Sequence, residues 1–259
     1  MFELDAYSPA QIAERVETIG VAKTRLGTRQ TLMLAVLAGA FIALGALFYT
    51  VTVTGSTFGF GPTRLLGGLA FSLGLLLVIV GGAELFTGNN LIVMAWADER
   101  VSLAALLRNW TLVYVGNLVG ALGIAGLVAA AGVMELGGGG VAKTAIAIAH
   151  GKLGLGFVEA FARGVLCNLL VCLACWVSFA AHDVAGKVLA LMLPVAAFVA
   201  LGFEHSVANM YILPVAWLAG GTEVTLAGVV ANLVPVTLGN IVGGGALVAG
   251  VYWLVYGKR

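Results

Sequence analysis

Long apolar stretches separated by short polar connections occupy most of the chain. Each stretch is long enough for the ~20 apolar residues that a helix needs to cross a bilayer. The pattern therefore predicts an all-α membrane protein with six transmembrane helices. The longest connection, residues 133–154, contains the glycine run 137–140 and is predicted to be a loop. The six apolar segments lie near residues 30–54, 65–97, 108–132, 155–181, 187–218 and 226–256.

The beginning of the chain has a different pattern. The segment 8–11, Ser-Pro-Ala-Gln, is typical of a helix start, with serine as N-cap, proline in the first turn and glutamine at N3. Apolar residues then follow on one face, Ile12, Val16 and Ile19. We predict that residues 1–28 form a cytoplasmic amphipathic helix at the membrane face. Residues 29–259 are predicted to form a single transmembrane domain.

The composition strengthens the membrane assignment. Apolar residues make up 61% of the chain and charged residues 10%, against ~45–50% and ~25% in ordinary soluble domains. The net charge of +1 excludes a nucleic-acid binder held by a basic surface. Three cysteines cannot all pair with one another, which excludes a secreted disulfide scaffold.

The distribution of Lys and Arg predicts the orientation of the helices. With six crossings both termini lie on one side, and nine of the basic residues fall on that side. Three basic residues, Arg64, Lys143 and Lys152, fall on the other side, and Arg163 lies within a span and is not counted. Because cytoplasmic loops carry the excess of Lys and Arg, both termini of this inner-membrane protein are predicted to be cytoplasmic. The nine residues are Arg15, Lys23, Arg25, Arg29, Arg100, Arg108, Lys187, Lys258 and Arg259.

The chain contains an internal repeat. GAELFTGN at 82–89 and GFEHSVAN at 202–209 share Gly, Glu and Asn at an offset of 120. Two asparagines of the third segment, Asn109 and Asn117, match asparagines of the sixth at an offset of 123. Two three-helix halves, about 29–132 and 155–256, must have opposite topologies. This is the inverted-repeat plan, in which broken helices mark the substrate path, and helices two and five are predicted to break near 84–90 and 203–209.

Carboxylates within the second and fifth segments need an explanation. A buried charge in a membrane segment costs ~2.5–3.5 kcal/mol even on the lenient insertion scale. Glu84 and Glu204 are therefore either pore charges or structural groups that satisfy the backbone at the helix breaks. We favour the structural role, because the glutamate recurs in both halves, and we assign Asn89 and Asn209 to the same breaks.

His205 and Thr87 break the repeat symmetry. His205 aligns with Leu85, and Thr87 aligns with Val207. The two residues form a spare polar pair on an otherwise apolar path, and histidine titrates nearest to neutral pH. The alternative is a buried histidine that neighbouring groups satisfy.

Cofactor motifs are incomplete in this chain. Cys167, Cys172 and Cys175 have the spacing of an iron–sulfur site, but the fourth cysteine is absent. The run from Gly137 to Thr144 lacks the second glycine of a phosphate-binding loop. We expect no metal and no cofactor.

The blocks at 82–88, 116–120, 166–174 and 202–210 together resemble the formate/nitrite transporter family. The resemblance covers residues ~10–256. It implies an aquaporin-like six-helix protomer, assembled as a homopentamer in the lipid bilayer with one pore in each protomer. It implies transport rather than enzymatic catalysis.

The resemblance also implies roles for individual residues. His205 would be the central pore histidine, Thr87 the hydroxyl at the first break, Lys152 the vestibule lysine and Asn168 a pore-near asparagine. Apolar constrictions would lie on either side of the centre. They are Leu75, Leu85 and Val171 towards the cytoplasm and Phe71 and Phe198 towards the periplasm, and Phe86 is a further constriction residue.

Formate suits such a pore. A bare anion in an apolar ring costs on the order of tens of kcal/mol, whereas protonating a carboxylate of pKa about 4 at pH 7 costs ~4 kcal/mol. The leading hypothesis is thus a pH-dependent channel or proton-coupled transporter for formate, with proton exchange near His205. Nitrite, hydrosulfide or short carboxylates are the alternatives within this class, and a pH-independent pore for neutral solutes is the alternative outside it.

Overall fold

The computed structural model describes residues 6–257 of the chain. The terminal charges Glu3, Asp5, Lys258 and Arg259 lie outside this range. Within it the fold is all-helical, with α1 at Pro9–Arg25, α2 at Thr28–Val53, α3 at Phe60–Gly81, α4 at Val93–Ala97, α5 at Leu103–Ala130, α6 at Leu136–Leu153, α7 at Phe157–Ser178, α8 at Val184–Ala200, α9 at Ser206–Leu218, α10 at Leu226–Ile241 and α11 at Val251–Tyr256.

Six helical segments cross the protein, as the apolar pattern predicts. Four are long apolar helices, α2, α3, α5 and α7, and a fifth runs from Leu226 to Tyr256 through a π-helical stretch, Val242–Gly250. The remaining crossing is divided between the shorter apolar helices α8 and α9. After α3 the chain likewise breaks, passes through a 3₁₀ turn at Gly88–Ile92 and continues into α4.

Both predicted helix breaks begin at a left-handed glycine. Gly82 has φ of 77° and Gly202 has φ of 75°, a conformation that residues with a Cβ rarely adopt. The two halves are therefore related as two inverted repeats with a broken helix in each. This arrangement confirms the predicted fold class.

Helix α1 begins as predicted but packs differently. Ser8 and Gln11 form the capping box, and Pro9 is the first helical residue. The apolar face does not lie on the membrane, because Ile12 and Val16 are buried in the protein core. A Cβ on Gly20 would lie 3.2 Å from the Ala95 Cβ, so α1 contacts α4 closely.

The prediction of a loop over residues 133–154 is wrong. Gly137, Gly138 and Gly139 are left-handed, and a regular helix runs from there to Leu153. The glycine run concealed this helix, since glycine is a poor helix former. The buried face of the helix follows at spacings of four residues, Val141, Ala145 and Ala149.

The newly found helix α6 extends the repeat. α1 and α6 each stand before a half, and each carries a lysine in its last turn, Lys23 and Lys152. The predicted repeat limits, 29–132 and 155–256, leave both helices out. Each repeat therefore consists of an anchoring helix followed by three crossings.

Close helix crossings hold each half together. A Cβ on Gly120 would overlap the carbonyl oxygen of Val36, so α5 lies directly on α2. A Cβ on Gly243 would overlap the carbonyl oxygen of Val165, which gives the matching contact on α7. Small residues permit this approach between membrane helices.

We expect Gly120→Ala to lower the free energy of unfolding by about 1–3 kcal/mol, the usual penalty for overpacking. Gly123→Ala is the matched control on the same helix, because nothing lies within 4 Å of its Cβ position. The control should raise stability by roughly 0.5–1 kcal/mol through helix propensity alone. Unfolding in detergent measures both, and equal effects would contradict the packing.

Candidate functional site

The two helix breaks meet at a buried pair of polar side chains. Thr87 Oγ1 lies 3.0 Å from His205 Nε2, and both residues are buried. His205 is the N-cap of α9, where its Nδ1 accepts a hydrogen bond of 3.0 Å from the Ala208 amide. The structure thus brings together the two residues that the sequence singles out as departures from symmetry.

The hydrogen bonds determine the tautomer of His205. Nδ1 is an acceptor, so the hydrogen of the neutral imidazole is on Nε2, which donates to Thr87 Oγ1. The hydroxyl hydrogen of Thr87 is then free to donate to another acceptor. A proton on Nδ1 would require the Ala208 amide to give up its bond.

Asn168 and Cys172 fix the backbone at Thr87. The Asn168 Nδ2 donates to the carbonyl of Thr87 at 3.2 Å and to that of Asn240 at 2.7 Å. The Cys172 thiol also donates to the Thr87 carbonyl, at 3.4 Å. Asn168 therefore acts on the first helix break from the opposite repeat.

Glu84 belongs to a buried network at one end of this centre. Its Oε1 lies 2.6 Å from Lys23 Nζ, and its Oε2 accepts a bond of 2.7 Å from Asn89 Nδ2. Asn89 also donates to Asn109 Oδ1 at 2.9 Å, and Asn109 donates to the Lys23 carbonyl. The carboxylate is neutralised by a lysine and held by an amide.

Glu204 repeats the same network in the second half. Its Oε1 lies 2.8 Å from Lys152 Nζ, and its Oε2 accepts a bond of 2.7 Å from Asn209 Nδ2. Asn209 donates to Asn232 Oδ1 at 2.7 Å, and Asn232 donates to the Lys152 carbonyl at 3.1 Å. We define the Lys23 side and the Lys152 side of the molecule by these two networks.

The backbone at each break is satisfied by an asparagine rather than by a glutamate. The Asn117 side chain accepts from the Phe86 amide at 2.9 Å and donates to the Glu84 carbonyl at 2.9 Å. Asn240 does the same for the Ser206 amide and the Glu204 carbonyl. The sequence showed these asparagines as aligned pairs, but it gave no signal that Lys23 belongs with them.

A cavity of about 600 Å³ opens on the Lys152 side. Lys152, Phe71, Phe198 and His205 are among the residues that line it. The rings of Phe71 and Phe198 meet edge to face at 5.6 Å, and Phe198 stacks on His205 at 5.8 Å. The predicted phenylalanine constriction therefore lies directly beside the histidine.

The Lys23 side has a much smaller cavity, of about 40 Å³. Leu75 and Leu85 line it, together with Lys23 and residues of α1. Two predicted constriction residues are not in the described lining of either cavity, Phe86 and Val171. Phe86 instead packs edge-on against Trp110 and Tyr114 of α5.

Comparison with known proteins supports this description. The sequence model that describes the formate/nitrite transporter family matches residues 10–254 of this chain. The chain belongs to the formate/nitrite transporter family. This is a family of transporters and channels rather than enzymes, in agreement with the sequence analysis.

Named relatives cover nearly the whole chain. The formate channel FocA of Escherichia coli (strain K12) is 41% identical over 97% of this chain and 95% of its own length. A probable formate transporter of Methanothermobacter thermautotrophicus is 42% identical over 97% of this chain and 98% of its own.

Solved structures of the family share the fold. A pentameric formate channel with formate bound is 44% identical, covers 89% of this chain and 98% of its own, and superimposes with a TM-score of 0.83. An FNT family ion channel, 29% identical, covers 94% and 98% of the two chains with a TM-score of 0.87.

We expect Glu84→Gln to destabilise the protein by about 3–5 kcal/mol, because it leaves the Lys23 ammonium without its buried counter-charge. The double variant Lys23→Met, Glu84→Gln should recover part of that loss. The exposed pair Arg163–Glu159 is the matched control, and Glu159→Gln should cost no more than about 1 kcal/mol. Chemical unfolding in detergent measures all three, and a cost for Glu84→Gln no larger than the control's would contradict the network.

Proposed function

We propose that this protein is a membrane pore for formate and similarly small anions of weak acids. The observation that carries the proposal is the Thr87–His205 pair, which is buried where two helix breaks meet and lies between an aromatic and an aliphatic constriction. The formate channels among its relatives support the choice of substrate. Nitrite and hydrosulfide remain candidates because this site would also accept them.

Transport proceeds through neutralisation of the anion. Phe71 and Phe198 on one side, and Leu75 and Leu85 on the other, offer a bare anion no hydrogen bonds. The Thr87 hydroxyl, which accepts from His205, has its hydrogen available for the anion. Lys152 and Asn168 assist, the first at the cavity wall and the second by fixing the Thr87 carbonyl.

Proton exchange with His205 is coupled to the start of α9. The neutral ring carries its one proton on Nε2. It can give up that proton and end neutral only if Nδ1 has first gained a proton. That proton displaces the Ala208 amide, which is the hydrogen-bond donor in the resting state. The alternative is electrostatic, with a cationic ring that holds the anion and keeps its proton.

We propose that the Lys152 side faces outward and that both termini are in the cytoplasm of the cell that carries the protein in its inner membrane. Arg163, which the sequence left unassigned, lines the Lys152-side cavity. It adds one basic residue to the outer side, which leaves the bias of Lys and Arg towards the cytoplasm intact.

We expect His205→Phe to abolish formate uptake into liposomes and His205→Asn to retain uptake without the wild-type pH dependence. Phenylalanine removes both hydrogen bonds, whereas asparagine is polar but does not titrate. Fluxes of formate, nitrite and hydrosulfide at two pH values provide the measurement. A His205→Asn variant with the wild-type rate and pH profile would refute the role of the histidine, and pH-independent flux in the wild type would favour a neutral-solute pore.

The protein is expected to assemble as a homopentamer. The structural relative described as pentameric supports this assembly, and α2 exposes large apolar residues that need lipid or a neighbouring protomer, such as Met33, Leu37 and Phe48. Native mass measurement in detergent should give five chains. A stable monomer would contradict the proposal.

A further inference from the structure

The two mouths of the pore differ in charge, although the buried Lys–Glu–Asn networks of the two halves repeat. Four basic residues line the Lys152-side cavity, Arg64, Lys143, Lys152 and Arg163. In the described lining of the Lys23-side cavity, Lys23 is the single basic residue. The inverted repeat therefore does not extend to the electrostatics of its two openings.

Salt bridges balance only part of this charge. Lys152 is paired with Glu204, Arg163 with Glu159 and Lys23 with Glu84. None of the salt bridges between described residues includes Arg64 or Lys143. A close pair of opposite charges has little field at a distance, so the net positive field of the larger cavity comes from Arg64 and Lys143.

Arg64 is held rigidly by neutral groups. Its Nε donates to the Ala200 carbonyl at 2.8 Å, and its two terminal nitrogens donate to the Val199 carbonyl at 3.0 Å and to the Tyr49 hydroxyl at 3.4 Å. A guanidinium has five N–H donors, so two remain for a ligand. These bonds also attach the cation to the carbonyl end of α8, where the helix dipole favours positive charge.

Arg64 lines the same cavity as the phenylalanines Phe71 and Phe198. Val199 and Ala200, whose carbonyls it binds, follow Phe198 in the chain. At the repeat offset of 120, the residue equivalent to Arg64 is Val184. The other mouth thus has no such cation at the corresponding place.

We propose that Arg64, assisted by Lys143, captures small monovalent oxyanions at the Lys152-side mouth before they reach the phenylalanines. The proposal rests on the function proposed above, because it requires the permeant species to arrive as an anion. Lys152, whose charge Glu204 balances, acts only on an anion in contact with it. Arg64 acts at a distance, and its effect is therefore screened by salt.

The test compares formate uptake by Arg64→Gln and Arg64→Lys from the two sides of the membrane at low and high ionic strength. In the wild type, the half-saturation concentration on the Lys152 side should rise with salt. Arg64→Gln should raise that concentration about tenfold at low salt, the low end of the effects of focused charge in clefts, and should remove most of its salt dependence. Arg64→Lys, which keeps the charge, should retain both, and neither variant should change half-saturation from the Lys23 side.

The matched control is the double variant Arg163→Gln, Glu159→Gln, which removes an ion pair whose arginine lines the same cavity and leaves the net charge unchanged. It should keep the salt dependence of the wild type. An Arg64→Gln variant with wild-type half-saturation would overturn the proposal. So would an Arg64→Lys variant that behaves like Arg64→Gln, because the essential property would then be the geometry of the guanidinium and not its charge.

A binding measurement separates this inference from the proposed function. Line broadening of ¹³C-formate by the purified protein should be reduced in Arg64→Gln and retained in Arg64→Lys. If the wild type carries no formate yet broadens its signal through Arg64, the transport proposal fails and the capture site stands. Broadening that is independent of Arg64 would refute the capture site, whatever the flux.

Discussion

A helix that breaks inside a membrane protein leaves backbone groups that water cannot reach, and each must find a partner within the protein. This constraint shapes the whole molecule. Asn117 and Asn240 satisfy the backbone at the two breaks, and the Lys23–Glu84 and Lys152–Glu204 networks hold the residues that follow. The glycine crossings bring the helices that carry these asparagines close enough to bond. Only with the breaks secured can Thr87 and His205 face each other.

The sequence predicted the six crossings and both breaks because these depend on apolar runs longer than one span and on a repeat with aligned Glu and Asn. It failed where a pattern was concealed or ambiguous. The glycines at 137–139 hid α6. Without α6, nothing in the sequence showed that Lys152 has the same place in the second half as Lys23 has in the first. The structural role favoured for Glu84 agrees with its network. The prediction that its carboxylate accepts from backbone amides was wrong, because the donors are the side chains of Lys23 and Asn89. The chemistry of a carboxylate alone does not tell which donor it will bind. Phe86 follows Leu85 in the chain, yet sequence adjacency cannot tell which of two neighbours faces a cavity.

The residues that we propose to act on the substrate lie where the two halves differ. The Lys, Glu and Asn residues of the two buried networks match in pairs. In the alignment of the repeats, by contrast, His205 matches Leu85, Thr87 matches Val207 and Arg64 matches Val184. A symmetric frame provides the opening through the membrane, and the unmatched residues give that opening a polar centre and a charged mouth. Unmatched polar residues within an inverted repeat are therefore a practical guide to function in chains of this kind.

The buried network of each half is drawn entirely from that half. Lys23, Asn89 and Asn109 all precede the second repeat in the chain, and the partners of Glu204 all follow the first. During synthesis, the first half can consequently neutralise its carboxylate before the ribosome has made Glu204. Each of the five salt bridges found between described residues lies within one half. The contact of Thr87 with His205 joins the two halves, and it can form once both are in the lipid. Each half thus supplies the counter-charge for its own buried glutamate, so neither carboxylate has to wait unpaired for the other half.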